Sequence, residues 1–545
     1  MFKRLTASLL FIFLFNYVNA QNDYSNFTRQ TDRVKALAKT YPHYVKTNSI
    51  VKTVGGKDIW QITIGTGNTP TKPAIAVIGG VQGNHLLGTE LALGFAETLL
   101  QNSNKDSIKN LLEKTTFYIF PNMSPDAMEQ YFASIKYERQ GNASNTDDDR
   151  DGSINEDVYD DLDGNGKITL MRVHSPIGDY RSHPEDERVM VKINAGKPEK
   201  GSYKMYTEGR DNDKDDLFNE DGDGGVWFNK NFSFRHPSFT EGSGEFPVSE
   251  NENRALLDLL YEQFNIYAVL SFGGANNLST PNTYNSQAAS QRLVASWMEA
   301  DAKQNAAVSE LYNKVTGLKD APKTKAEGGD FGSWAYYHYG RYSFSTPGWW
   351  VPKTKPDSTK NEKAFSIEDS VANYLRWASQ QGITASFTTW KAINHPDFPG
   401  QQVEVGGPDP FVLINPPYNM VADLVKKHSE FIVKLAEMQP ALDIVNVKTE
   451  KVSPGLTRIT IDVINKGALA SHTKIGERNY WVKRINVKLN LTGNQTLVSG
   501  KKNHLLDALE GYSSEKITWL IKGSGKINIE AGSPTTGIKK TDISL

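Results

Sequence analysis

An apolar run, Ala74–Ile78, leads directly into Gly79-Gly-Val-Gln-Gly-Asn-His85, and Leu91–Leu100 then follows with helical spacing. A continuous apolar run of this kind is the pattern of a strand covered on both faces, and such strands belong to sheets flanked by helices. The alternation recurs. Val51–Trp60 carries Gly55-Gly56 between β-rich segments, a hairpin signal within Tyr44–Ile64. Thr116–Phe120 and Tyr267–Phe272 are further strands, while Thr31–Ala38 and Asn253–Tyr261 have helical patterns. The expectation is an α/β domain, a mixed sheet with helices on both faces.

At 545 residues the chain is too long for one ordinary core. A boundary is expected near Gln439–Ala441, after the helix-like stretch Met420–Met438. Beyond it come short alternating runs, Thr457–Val463, Val482–Leu491 and Lys526–Ile529, with Gly, Asn and Ser between them. That pattern predicts an all-β, Ig-like sandwich over 441–545, in which only His504–Leu509 has a helical look. The larger domain then covers 21–440.

Residues 1–20 have the form of a secretory leader. Lys3 and Arg4 start it, Leu9–Phe15 is its apolar core, and Val18-Asn19-Ala20 is a small-residue cleavage site. The run is too short to span a bilayer, and no later stretch reaches ~20 apolar residues. The expectation is a secreted or periplasmic protein without a membrane span. Cysteine is absent, which excludes disulfides, a thiol nucleophile and a Cys-ligated zinc. A formal net charge of −2 gives no reason to expect a nucleic-acid partner. Serine-hydrolase elbows, His-Glu-x-x-His helices and phosphate-binding glycine loops are also lacking.

Two acidic inserts interrupt the larger domain. Residues 145–166 hold nine acidic residues against one Arg, and 208–223 hold eight against Arg210 and Lys214. Within them Asp147-x-Asp149-x-Asp151-Gly152 and Asp161-x-Asp163-x-Asn165-Gly166 repeat one spacing, and Asp211-x-Asp213-x-Asp215 repeats it without the glycine. Oxygen ligands at alternate positions around a tight turn suit calcium. The closing Glu of a helix–loop–helix site is missing, because Val158, Arg172 and Gly222 stand there. Loop-only sites closed by Glu156, Asp157 or Asp221 are expected instead; the other reading is a solvated acidic loop.

Five segments in order resemble the zinc carboxypeptidase family over roughly 30–440. They are Gly79–Glu90, Phe120-Pro-Asn-Met-Ser-Pro-Asp-Ala127, Gly225-Val-Trp-Phe-Asn-Lys-Asn-Phe232, the stretch Gly242–Ala255, and Gly329–Tyr336 followed by Tyr342-Ser-Phe-Ser-Thr-Pro-Gly348. The resemblance implies a carboxypeptidase-like fold, a His, a Glu and a second His on zinc, a Glu as general base, and a peptide or protein C-terminus as partner. At those places the sequence has Gln82 for the first His, His85 for the Glu, no His in 266–283, and Pro347 for the general base. The substrate-binding pair becomes Asn229-Lys230, which keeps the charge and loses the planar fork. No Arg follows Asp126 within ten residues.

A Gln amide is a poor zinc ligand and Pro cannot take a proton. The expectation is therefore a catalytically impaired family member that keeps a peptide-binding cleft. Two other readings stay open: an active metallocarboxypeptidase with an altered ligand set, in which His236, His338 or His395 joins His85, and a structural or adhesive protein acting through its sandwich on an unknown partner. Trp349-Trp350 beside Pro352 is either a stacking platform for carbohydrate or peptide, or a cap on the core. His395–Gly407, rich in Pro and Gly, is expected to be a loop.

Overall fold

The computed structural model describes residues 23–147, 152–155, 157–184, 186–194, 199–214, 218–219, 222–324, 327–354, 367–383 and 387–545. The leader at 1–20 and the calcium candidates Asp149, Asp151 and Asp215 lie outside the described residues.

The central sheet has six strands: β1 (Val45–Lys52), β2 (Asp58–Ile64), β3 (Ala74–Ile78), β4 (Thr116–Phe120), β9 (Ile266–Phe272) and β10 (Tyr342–Thr346), in the order β1-β2-β4-β3-β9-β10. The β1–β2 and β2–β4 pairs are antiparallel, and the others parallel. Every residue of β3 is buried, as its apolar run requires. Alternate side chains serve opposite layers: Ile75 and Val77 enter one core, while Ala74, Ala76 and Ile78 enter the other. Each fully buried Ile or Val contributes roughly 1.5–3 kcal/mol.

Helices cover both faces. The first core takes α1 (Phe27–Thr40), α2 (Leu86–Gln101), α3 (Asp106–Lys114), α7 (Glu299–Thr316), α9 (Ile367–Gln380) and α10 (Val421–Glu437). The second takes α5 (Asn251–Glu262) and α8 (Phe331–Tyr337). The one-turn helices α4 (Pro125–Met128) and α6 (Ser286–Ala289) sit in connections. Arg33 holds α1 to α2, reaching Glu90 at 2.6 Å and Glu97 at 2.8 Å. Trp349 and Trp350 are buried, at 3% and 8% exposure, so they cap the core and offer no platform. No helix of the described residues is long and apolar enough to cross a membrane.

A second, antiparallel sheet was not anticipated from the sequence. It joins β5 (Leu170–His174), β6 (Tyr180–Ser182), β7 (Met190–Lys192) and β8 (Tyr203–Thr207) to β11 (Phe387–Ile393) and β12 (Val403–Pro408). The stretch expected as a loop, His395–Gly407, thus ends in a strand, with Val403 paired to Val173. Arg172, which stands at the last position of a calcium-type loop, has a cross-strand role. Its guanidinium meets Glu404 at 2.8 Å and lies 4.4 Å from the Trp390 ring centroid.

The C-terminal region is a pair of four-stranded antiparallel sheets. One contains β13 (Leu442–Ser453), β14 (Leu456–Asn465), β16 (Thr496–Ser499) and β18 (Ser514–Lys522); the other contains β15 (Asn486–Asn490), β17 (Asn503–Leu505), β19 (Lys526–Ser533) and β20 (Gly537–Ser544). The helical look of His504–Leu509 misleads, since this stretch pairs as β17 and then runs irregularly. Trp519 and its apolar neighbours fill the space between the sheets.

This region is fastened to the larger domain. Asp301 of α7 is 2% exposed and accepts from Tyr336 Oη, Lys474 N and Ile475 N at 2.7, 2.6 and 3.1 Å. Trp481 lies against Tyr261 with ring centroids 4.1 Å apart. Gly340, at φ +73°, lets the segment around Gly476 approach, because a Cβ there would stand 3.1 Å from the Gly476 Cα. Asp301→Ala orphans three donors at this seam, two of them in fully buried bonds. It should cost about 3 kcal/mol or more, read as a lower midpoint in urea unfolding.

Candidate functional site

β3, β4 and β9 run parallel and end level: Ile78 pairs with Phe120 on one side and with Ser271 on the other. β10 continues that edge, with Ser345 opposite Ser271 and their hydroxyls 2.8 Å apart. The segments that leave these strands therefore converge. The turn Gly79–His85 sits tightly against the segment after β4, and a Cβ on Gly79 would lie 2.3 Å from the Pro121 carbonyl oxygen. Gly80, at φ +57°, completes a turn that side chains would obstruct.

Gln82 and His85 both spend their side chains on backbone. Gln82 Oε1 accepts from Gly274 N at 2.7 Å, within the stretch that has no second imidazole. His85 Nε2 donates to the Pro347 carbonyl oxygen at 3.0 Å. Pro347 is the residue at the general-base place, so two exchanged positions satisfy each other. His85 is 2% exposed. Burial lowers its pKa to about 4, against the opposing pull of the Pro347 and Phe272 carbonyls, so the ring is neutral at neutral pH.

These residues do not fit zinc. His85 Nδ1 is buried and has no hydrogen-bond partner among the described residues, so the ring could offer a metal that single nitrogen. The other expected partners are engaged elsewhere: His236 with the Ser243 carbonyl, His338 with Ser233 Oγ, and His395 with the Gly209 carbonyl. Among the described residues, no group of three His, Asp or Glu side chains that could hold a metal includes His85, so the usual three protein ligands are not assembled there.

Asn229 and Lys230 are also committed. Asn229 Oδ1 accepts from Phe331 N at 3.0 Å. Lys230 Nζ donates to the Glu241 carbonyl at 2.5 Å and lies 4.5 Å from the Trp227 ring centroid. Arg139, outside the ten-residue window that sequence reading searched, does approach this region. Its guanidinium donates to the Gly141 and Asn142 carbonyls at 3.1 and 2.6 Å. Between these groups, Gln82, Gln140, Trp227, Asn229 and Glu327 enclose about 20 Å³, room for about one water molecule.

A larger cavity of about 350 Å³ begins one residue beyond Gly274, at Ala275. Asp330, 3% exposed, lines it. Its Oδ1 caps α8 by accepting from Ser333 N at 2.8 Å, while Oδ2 has no hydrogen-bond partner among the described residues. Burial raises the Asp330 pKa. Asn276 Nδ2, on the same wall, is likewise unpartnered. Two residues of this wall therefore carry buried polar atoms that have no partner among the described residues.

The acidic inserts meet at one point. Asp161 Oδ1 and Oδ2 accept from Asn165 N and Gly166 N at 3.0 and 2.8 Å, and Asn165 Oδ1 accepts from Lys167 N at 2.8 Å. This winds the turn so that ligand oxygens of Asp161, Asp163 and Glu208 lie within 4.8 Å of one another. Glu208 was not singled out by sequence reading, because it comes from the far end of β8 and no spacing rule links it to Asp161. It is fully buried, its oxygens accept from Leu162 N and from Thr169 N and Oγ1 at 2.9 Å, and burial raises its pKa. Asp157, expected to close a loop, instead accepts from Asn212 N and Asn219 N. Asp147 accepts from Gly152 N, and Asp211 accepts from Lys214 N; neither joins a cluster with Asp213 among the described residues.

Comparison with known proteins bears on this edge. Matching stretches occur in carboxypeptidase D of Anas platyrhynchos, 31% identical over 110 residues, which is 19% of this chain and 8% of that protein. Carboxypeptidase E of Caenorhabditis elegans is 31% identical over 122 residues, covering 22% of this chain and 26% of its own length. The chain thus spans under a tenth of carboxypeptidase D and about a quarter of carboxypeptidase E. Among solved structures, that of thrombin activatable fibrinolysis inhibitor aligns with TM-score 0.40 and 13% identity over 76% of this chain and 74% of that one. Carboxypeptidase A from Helicoverpa armigera aligns with TM-score 0.37 and 14% identity over 67% and 75%. A model described as a domain of unknown function matches 441–544. The model of the zinc carboxypeptidase family matches 31–349, more than half of the sequence and every strand of the central sheet, and the chain belongs to that family.

Proposed function

We propose that this protein is a secreted or periplasmic, catalytically impaired zinc carboxypeptidase that binds peptide or protein C-termini without hydrolysing them. The observation that carries the proposal is the pair of bonds Gln82–Gly274 and His85–Pro347. They turn the side chains at both zinc positions, and the residue at the general-base position, onto each other and onto the sheet edge. A hydrolytic site needs a Lewis acid with an open position and a base for its water. The cavity of about 350 Å³ beside Ala275 supports retained binding.

The purified protein should therefore carry far less than one zinc per chain by elemental analysis after incubation with zinc. It should release C-terminal residues from peptides no faster than a chelator-treated sample. Stoichiometric zinc together with chelator-sensitive release would establish the alternative, an active enzyme with an altered ligand set.

A structural calcium ion is the second part of the proposal, favoured by Asp161, Asp163 and Glu208. Their oxygens are hard donors on a turn already wound to present them, and Glu208 takes the place of the absent closing residue. An ion bound only by the folded state adds about 2.7 kcal/mol at a hundred times its dissociation constant. Calcium should raise the melting temperature, and Asp161→Asn with Glu208→Gln should remove that increment while EDTA no longer shifts the variant. An equal calcium response in wild type and variant would reject the site.

A further inference from the structure

A second cavity, of about 300 Å³, shares no lining residue with the cavities at the sheet edge. Several of its walls come from outside the family match at 31–349: the N-terminal Tyr24, Tyr374 of α9, and the segment from Asp409 to Tyr418. Its volume is at the low end of ligand cavities, which run ~300–1000 Å³.

The cavity surface is chiefly apolar, and five of the lining residues are aromatic. Tyr24 meets Tyr131 and Tyr418 edge-on, with centroids 5.9 and 5.3 Å apart, and Tyr131 meets Phe411 at 5.2 Å. The tyrosines turn ring rather than hydroxyl to the space where their partners are known. Tyr24 Oη donates to the Pro416 carbonyl at 2.6 Å, and Tyr131 Oη to Asp23 Oδ1 at 2.9 Å. Asn415 is consumed as well, accepting from Leu87 N and donating to the Asn84 and Phe411 carbonyls.

Two ammonium groups border this apolar box, and they are not equivalent. Lys167 is neutralised by Asp409 at 2.8 Å, and Asp409 accepts in turn from Thr388 Oγ1 at 2.7 Å. Lys136 has no carboxylate partner among the described residues. Its Nζ lies 4.8 Å from the Tyr131 ring centroid. The Lys136 backbone is fixed on both sides, donating to the Gly166 carbonyl at 2.9 Å and accepting from Ile168 N at 2.9 Å. A fixed backbone therefore places at this cavity an ammonium that forms no ion pair among the described residues, with Asp23 elsewhere in the lining.

We propose that this cavity binds a small organic carboxylate with an apolar body, its anionic end on Lys136 and its body against Tyr24, Tyr418 and Phe411. An uncharged ligand would leave the ammonium without a partner, and a small inorganic anion would leave the aromatic walls unused. A carboxylate carried on a ring or short chain uses both features.

Isothermal titration of the purified protein with 3-phenylpropionate, its amide and acetate tests the assignment. The acid should bind saturably. The amide, which keeps the body and loses the charge, and acetate, which keeps the charge and loses the body, should each bind about tenfold more weakly or not at all. Lys136→Met should weaken 3-phenylpropionate about tenfold, and Lys136→Arg should retain it. Failure of both 3-phenylpropionate and octanoate to saturate below about 10 mM overturns the proposal. So does equal binding of acid and amide, a comparison that needs no variant to fold.

Discussion

β3 pairs in parallel with β4 and β9 at once, and that double ladder sets the position of everything the site contains. A parallel strand buried on both faces can slip by one residue only by exchanging the two cores, because Ile75 and Val77 serve one and Ala76 and Ile78 the other. Register is thereby fixed, and the strand ends are level. The turn at Gly79–His85, the segment from Pro121, Gly273-Gly274 and Pro347 meet because the ladders deliver them to one edge. The side chains were exchanged within this frame, and the frame itself was kept.

What fills the edge follows from hydrogen-bond satisfaction. A buried polar group left unpaired costs about 1–3 kcal/mol, which favours internal partners for these side chains, although His85 Nδ1 keeps none among the described residues. The Gln82 amide finds the backbone amide of Gly274, and the His85 ring finds the Pro347 carbonyl. The closeness of these segments suits a pair of internal contacts, with about 20 Å³ left between the surrounding groups. The neighbouring cavity keeps about 350 Å³, and this contrast underlies the proposal of binding without turnover.

The central sheet was legible because β3 and β4 are short, nearly continuous apolar runs, and Ala74–Ile78 and Thr116–Phe120 match them residue for residue. The family was legible from five motifs in order. The second sheet was hidden for a physical reason. Its strands are short and half-exposed, and β5 finds its partner β12 more than two hundred residues away, as in Val173 opposite Val403. Glu208 was hidden likewise, since its place beside Asp161 depends on β5–β8 pairing and not on spacing. The exchanged identities of Gln82, His85 and Pro347 were plain in the sequence. That they would bond to Gly274 and to each other was not, because those bonds use backbone atoms that every residue carries.

Asp301 gives the C-terminal sandwich a meaning its separate core would not suggest. One buried carboxylate gathers a tyrosine hydroxyl from the larger domain and two backbone amides from the segment linking the sandwich strands. Tyr336, the tyrosine involved, belongs to α8, the helix that Asp330 caps at the cavity wall. The sandwich is therefore part of the scaffolding behind that wall. A gene rearrangement that dropped it would unsettle the cavity as well, so descendants of this architecture have reason to inherit the two halves together.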